Sequence, residues 1–213
     1  MPRPARVSPD RILGAAAAEF AARGYAGARV DRIARRARVN KAMLYYHFGS
    51  KQGLYRTLLR STFGQIAAQL ASIAASGKPP GEALDAAVTA MAAFVDTHAF
   101  FPSIMLREVA EGGAHLDADT LAALAAVPRA FASILLPGIE QGIFRRMHPM
   151  AAYFTTVAPI LMFVTSTPVR KQLSARHLVP SFKQELTSAA FVDDLRISLQ
   201  RAFGASALPE LRP

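Results

Sequence analysis

Ala37-Arg38-Val39-Asn40-Lys41-Ala42-Met43-Leu44-Tyr45-Tyr46-His47-Phe48-Gly49-Ser50-Lys51 reads as a turn, a very short helix, a second turn and the start of a longer helix. Asn40 is a good N-cap, because its side-chain oxygen can accept from the free N–H groups of the next turn. Leu44 and Phe48 fall four apart and share one helical face. Lys41, Ala42, Tyr45 and Tyr46 occupy the other side, with His47 beside them. Gly49 can end the helix in a left-handed conformation, and Ser50 can cap the next one, with Lys51 in its first turn. The front so formed carries one cation, two phenols and an imidazole. Such groups suit DNA: an ammonium and hydroxyl or imidazole donors for phosphate oxygens, and phenol rings for thymine methyls.

Charge supports this reading. Residues 1–60 hold 13 Lys and Arg against 3 Asp and Glu, while residues 61–213 hold 12 against 12. The entire net charge of +10 therefore lies in the first part of the chain. A basic module joined to a neutral one suggests a polyanion-binding unit attached to something else. With 213 residues, 52% of them apolar, the chain can bury a substantial core and is not disordered. It has no cysteine, which excludes disulfides, thiolate zinc sites and a cysteine nucleophile. Met1 to Pro9 is basic and proline-bearing but has no apolar run behind it like a signal peptide.

Upstream of the quoted stretch, Ser8-Pro9-Asp10 is a helix start, and the helix is expected to stop at Gly24. A second, short helix is expected over about Val30 to Ala37. Val30, Ile33, Ala34 and Ala37 face inward by three/four spacing, and Arg29, Arg32, Arg35 and Arg36 cover the outside. Two short helices joined by so tight a turn make a helix-turn-helix.

Residues 8 to about 60 resemble the DNA-binding domain of the TetR (tetracycline repressor) family of bacterial transcription regulators. The resemblance rests on Phe20-x-x-x-Gly24-Tyr25, Ile33-Ala34 with Ala37, Val39-Asn40-Lys41, Leu44-Tyr45-Tyr46-His47-Phe48 and Ser50-Lys51-x-x-Leu54. It implies that Asn40 to His47 is the recognition helix of the major groove. It further implies DNA contacts from Asn40, Lys41, Ala42, Tyr45, Tyr46, His47 and Lys51. Arg38 stands where the family usually has a glycine in the turn. Arg29 stands where a Thr or Ser often caps the second helix, and is expected to touch phosphate instead.

The remainder reads as helices too, giving an all-α chain of about nine helices: a helix-turn-helix domain over residues 1–55 and a helical bundle over 56–213. A long helix from Lys51 to about Ser76 carries Leu54, Leu58, Phe63, Ile66, Leu70 and Ile73. Gly77-Lys78-Pro79-Pro80-Gly81 is the clearest break. Pro128 and Pro137 are expected to bend or break a helix ending near Gln141. The last helix is expected over about Pro180 to Phe203, carrying Phe182.

From Met147 to Val169 there is no charged side chain, enough to consider a membrane span, but three prolines and several Thr favour a core helix at a subunit interface. With the last helix it is the candidate for a two-fold interface. The family resemblance also implies an effector pocket. Its candidate lining is Phe63, Met91, Phe94, Phe101, Met105, Phe131, Phe154 and Met162, with His98, Arg107 and Tyr153 as polar groups. Glu108, Glu111 and His115 have ligand-like spacing, but Gly112-Gly113 is expected to break their geometry, so no metal and no cofactor is assigned. Nothing in the sequence suggests catalysis. The reading is a cytoplasmic, nucleoid-associated bacterial repressor that binds a palindromic site on double-stranded DNA as a homodimer and is released by a small apolar effector. A DNA-binding dimer without ligand is the alternative, and a protein held at a membrane through residues 147–169 is a more distant one.

Overall fold

A computed structural model describes residues 8–178 and 186–205. Over these residues the chain is all-α. Ten helices follow in order: α1 (Pro9–Gly27), α2 (Val30–Arg36), α3 (Lys41–Phe48), α4 (Lys51–Ala74), α5 (Pro80–Thr97), α6 (Phe101–Ala110), α7 (Ala118–Glu140), α8 (Pro149–Thr165), α9 (Thr167–Ala175) and α10 (Ser188–Phe203). The tenth helix was not anticipated. The uncharged stretch ends its first helix at Thr165, and Pro168 starts a new one bent by 53° from it. Proline is tolerated in a first turn, where its missing N–H has no partner to lose. The split leaves 17 residues in α8, short of the ~20 a straight span requires. Among the described residues, α7 is the single helix long and apolar enough to cross a membrane, and the bent pairs α5–α6 and α8–α9 reach that length and apolarity only when each is taken as one span. Pro128 and Pro137 lie inside α7 without breaking it.

Compactness divides the chain into two units, residues 1–63 with 99–124, and residues 64–98 with 125–213. The first unit thus extends past the expected boundary at residue 55 and takes in α6 and the segment after it. Its core is built on α1. Ser8 caps that helix by accepting from the Asp10 N–H, at 3.2 Å, and Gly24 leaves helical geometry at φ 67°, where the sequence placed the stop. Ile12, Ala16 and Phe20 of α1 are fully buried, as are Ile33, Leu44 and Leu54 of the three helices that follow. Phe20 also sits edge-on to Tyr55, 4.8 Å between centroids, and Tyr55 lies 5.1 Å from Tyr25. Such aromatic pairs add to the burial of their rings.

The second unit is centred on α5, which buries Leu84, Val88, Met91, Phe94 and Val95. It packs against α8 and α10, which bury Ala152, Thr156 and Ile160, and Leu199 and Phe203, respectively. Phe131, Ile134 and Leu135 of α7 are buried in the same unit. The last helix begins later than expected: Thr187 caps α10, accepting from the Ala190 N–H at 3.2 Å. The expected start at Pro180, with Phe182, lies outside the described residues.

A polar latch joins α10 to α5. Arg196 donates to Asp85 at 2.9 Å, and the Gln200 amide donates to Asp85 at 3.0 Å and to the Gly81 carbonyl at 2.7 Å. Burial alone would raise the Asp85 pKa, but these donors and the Arg196 charge outweigh it and hold the carboxyl below its usual range. A carboxyl so depressed stabilises the fold above its unfolded pKa, near ~3.9, and loses that contribution as pH falls through the folded value. Asp85→Asn should cost about 1–2 kcal/mol at neutral pH, with the gap to wild type narrowing as urea melts are repeated below the carboxylate range. A gap independent of pH would show that Asp85 acts through packing alone.

Candidate nucleic-acid interface

The candidate interface begins with how α2 is held. Arg29, at its N-cap, gives no side-chain cap. Glu19 of α1 substitutes: its carboxylate accepts from the Arg29 backbone N–H at 3.3 Å and from Arg32 Nε at 2.7 Å. Burial works to raise the Glu19 pKa, but the Arg32 and Arg29 donors and the Arg32 and Arg23 charges keep it lowered, so it stays an anion at the positive end of α2. The side chain that caps α2 therefore comes from ten residues upstream, and the Arg29 side chain is left exposed.

The turn from α2 to α3 is closed on itself. Ala37 N–H donates to the Ile33 carbonyl at 2.8 Å and Val39 N–H to the Ala34 carbonyl at 3.0 Å. Arg38 takes φ 51°, the left-handed region usually occupied by glycine. Arg11 of α1 supports it, donating to the carbonyls of Ala37 at 2.8 Å and Arg38 at 3.1 Å. The turn is thus glycine-like in shape and held by a guanidinium from outside.

Asn40 caps α3, accepting from the Met43 N–H at 2.7 Å. Leu44 is fully buried and Phe48 half-buried, while Lys41, Ala42, Tyr45, Tyr46 and His47 are all exposed. Tyr46 is 82% exposed and Tyr45 42%. Large aromatic rings left in water on so short a helix are what a protein reserves for a partner. Gly49 ends the helix at φ 71°, and Ser50 caps α4 through the Gly53 N–H at 2.9 Å. Two basic groups expected to face DNA have intramolecular partners. Lys41 Nζ lies 3.0 Å from Asp31 on the surface, an ion pair that phosphate could displace at little cost. Lys51 Nζ donates to the Ala26 carbonyl at 3.3 Å and lies 4.6 Å over the Tyr25 ring, and burial lowers its pKa. Lys51 therefore ties the start of α4 to the end of α1.

A helix-turn-helix with a capped, outward-facing second helix is the form that comparison with known proteins identifies. Residues 12–58 match the model of the bacterial regulatory proteins of the tetR family. That segment resembles the DNA-binding module of the TetR family. Over 177 residues it is 28% identical to the HTH-type transcriptional repressor NicS of Pseudomonas putida, covering 81% of this chain and 79% of NicS. It is 47% identical to the repressor SCO4008 of Streptomyces coelicolor over 57 residues, which span 30% of that protein. The fold also matches the fatty acid degradation regulator FadR from Bacillus halodurans (TM-score 0.68, 18% identity, 91% of this chain and 98% of that one). A similar match is AibR, solved with isovaleryl coenzyme A and operator DNA (TM-score 0.67, 19% identity, 88% of this chain and 95% of that one).

The candidate pocket residues are distributed over both units. In the first, Phe63 and Phe101 are buried edge-to-face at 5.8 Å and Met105 is buried, but Arg107 is exposed and reaches toward the Phe20 carbonyl at the end of α1. In the second, Met91, Phe94 and Phe131 are buried, and His98 stacks on Phe94 at 4.0 Å. Tyr153 lies 5.8 Å from Phe131, and burial pushes its hydroxyl up to about 12. Phe154 and Met162 are each 58% exposed. A small apolar cleft does open in this unit, among Ala92, Ile160, Phe163, Val164 and Phe191, and it involves none of the expected residues. The expectation that Gly112-Gly113 separates Glu108 and Glu111 from His115 is corrected: the glycines fold the chain back and bring the three side chains together.

Three supporting residues were not read from sequence. Glu19 and Arg11 act from another helix, where spacing gives no cue. Gly53 has no room for a Cβ, which would collide with the Phe48 carbonyl oxygen. Gly53→Ala should therefore force the α3–α4 joint apart and cost on the order of 2 kcal/mol or more. Arg38→Gly should keep or slightly raise thermal stability, because glycine suits φ 51°. If Arg38 meets phosphate, the same variant lowers the slope of log affinity against log salt by about one; an unchanged slope in a salt titration excludes that contact.

Proposed function

We propose that the protein is a homodimeric transcriptional repressor that reads a palindromic operator with α3 and releases it on binding a small, largely apolar effector. The observation that carries this reading is the exposed face of Lys41, Ala42, Tyr45, Tyr46 and His47, set beside the exposed Arg29, Arg35 and Arg36 of α2. Arginines position on phosphate, and the aromatic face meets base edges. Likeness to the repressor NicS over four-fifths of the chain supports the sign of regulation. Such a protein works in the cytoplasm, on the chromosome.

The dimer is assigned to α8 and α10. Met150, Phe154 and Met162 project into solvent from α8, and Ile197 from α10. The second unit carries a net charge of +3 against +7 for the first, so charge opposes self-association less there. Phe154 and Met162 are therefore reassigned from pocket lining to the interface. The effector is assigned to the second unit, where the cleft bounded by Ile160, Phe163 and Phe191 has room for about one water and must widen to admit the effector. AibR was solved with isovaleryl coenzyme A, so short-chain acyl thioesters belong in any ligand screen.

Tyr45→Ala and Lys41→Ala should each weaken binding to DNA from the gene's own upstream region by about 10- to 100-fold in a mobility-shift assay, with the dimer intact by light scattering. Unchanged affinity in both would remove α3 as the reading element. Phe154→Glu with Met162→Glu should give monomers in sedimentation and lose the palindrome. A thermal-shift screen of apolar compounds tests the effector, since a ligand bound only by the folded state must raise its melting temperature.

A further inference from the structure

The end of α6 carries an arrangement that DNA reading does not use. Glu108 is only 2% exposed, in the last turn of α6, and Glu111 is its C-cap. Gly112 and Gly113 both take positive φ, 67° and 76°, and Gly113 N–H donates to the Glu108 carbonyl at 2.9 Å. Two left-handed residues in succession turn the chain back over the helix end, so His115 sits above the carboxylates rather than a turn beyond them. Its Nδ1 is 3.2 Å from Glu108 Oε2 and 3.3 Å from Glu111 Oε2, and all three donor atoms lie within 4.8 Å of one another.

We propose that Glu108, Glu111 and His115 form a binding site for a divalent transition ion of the zinc class. One nitrogen and two carboxylate oxygens are a donor set that zinc accepts with a fourth position open. Zn–N and Zn–O bonds of ~2.0–2.2 Å place tetrahedral donors roughly 3.3–3.5 Å apart. The two distances from Nδ1 are already of that size. A single imidazole N–H can only be shared between the two carboxylates that converge on it, whereas a dication meets both negative charges at once.

The groups around the donors are fixed. Tyr55 donates its hydroxyl to Glu108 Oε2 at 2.7 Å, and the His115 backbone N–H donates to Glu108 Oε1 at 2.9 Å. The His115 ring lies 4.0 Å from the Tyr25 ring, and its carbonyl accepts from Arg56 at 3.0 Å. Arg56 also pairs with Asp117 at 3.2 Å, anchoring the segment just after the histidine. Outer partners that orient the ligands in this way are characteristic of metal sites. Glu111, 47% exposed in its side chain, leaves the solvent side for entry and for the fourth ligand.

The test uses the full chain, stripped with a chelator and titrated with zinc chloride by calorimetry, with cobalt as a spectroscopic probe. It is independent of DNA binding. One ion per chain is expected, with a rise in melting temperature that the chelator reverses. His115→Ala and Glu111→Gln should each weaken zinc binding on the order of 100-fold while the metal-free variants melt as the metal-free wild type does. Glu111 is chosen because it is exposed; Glu108→Gln risks unfolding the unit. Absence of stoichiometric binding overturns the site and leaves His115 sharing only a proton. Zinc binding retained in both variants overturns it equally, by placing the ion elsewhere.

Discussion

The helix-turn-helix depends on one carboxylate. Glu19 is buried against the start of α2, where it accepts from Arg29 N–H and Arg32 Nε and faces the positive end of the helix dipole. Its anionic state is secured by those donors against the cost of burial. Without it α2 has no cap, and α2 is what carries the turn to α3. A short helix has little stability of its own, so fixing its first turn from a longer neighbour is an efficient way to place it. Arg11 does the same for the far end of α2 through the carbonyls of Ala37 and Arg38. The position of the exposed aromatic face is therefore set by two side chains of α1, one negative and one positive.

Much of this was legible in sequence because it is local. The Ser8-Pro9-Asp10 start, the Gly24 stop, the Asn40 cap and the Gly49 end each state their chemistry in two or three residues. So does the buried row Val30, Ile33, Ala34 and Ala37 of α2, which spacing alone predicts. What was not legible acts across the chain. Glu19 and Arg29 are ten residues apart, Arg11 and Arg38 twenty-seven, and Asp85 and Arg196 more than a hundred, and no periodicity links them. The Gly112-Gly113 pair misled in a different way. Two glycines argue against a helix, and that was right. They do not argue against proximity, because a left-handed reversal can bring residues closer than the helix would have.

The pocket was the least legible part. Phe and Met at helical spacing look the same whether they line a core, a cavity or an interface. Only exposure separates Phe131, fully buried, from Phe154 and Met162 in solvent. Arg107 raises a related difficulty: a charge on a largely apolar helix reads as a ligand anchor, and its guanidinium reaches toward the Phe20 carbonyl of α1.

The two joints that flank α3 have a consequence beyond the fold. One is the Arg38 turn, gripped by Arg11; the other is the crowded approach of Gly53 to Phe48. Between them lies an eight-residue helix held inward chiefly by Leu44. The outward positions Lys41, Ala42, Tyr45, Tyr46 and His47 take almost no part in holding it. The helix is in effect an interchangeable cassette: five positions are open to substitution while the frame around them stays as it is, and under the proposed function those are the positions that would set sequence preference.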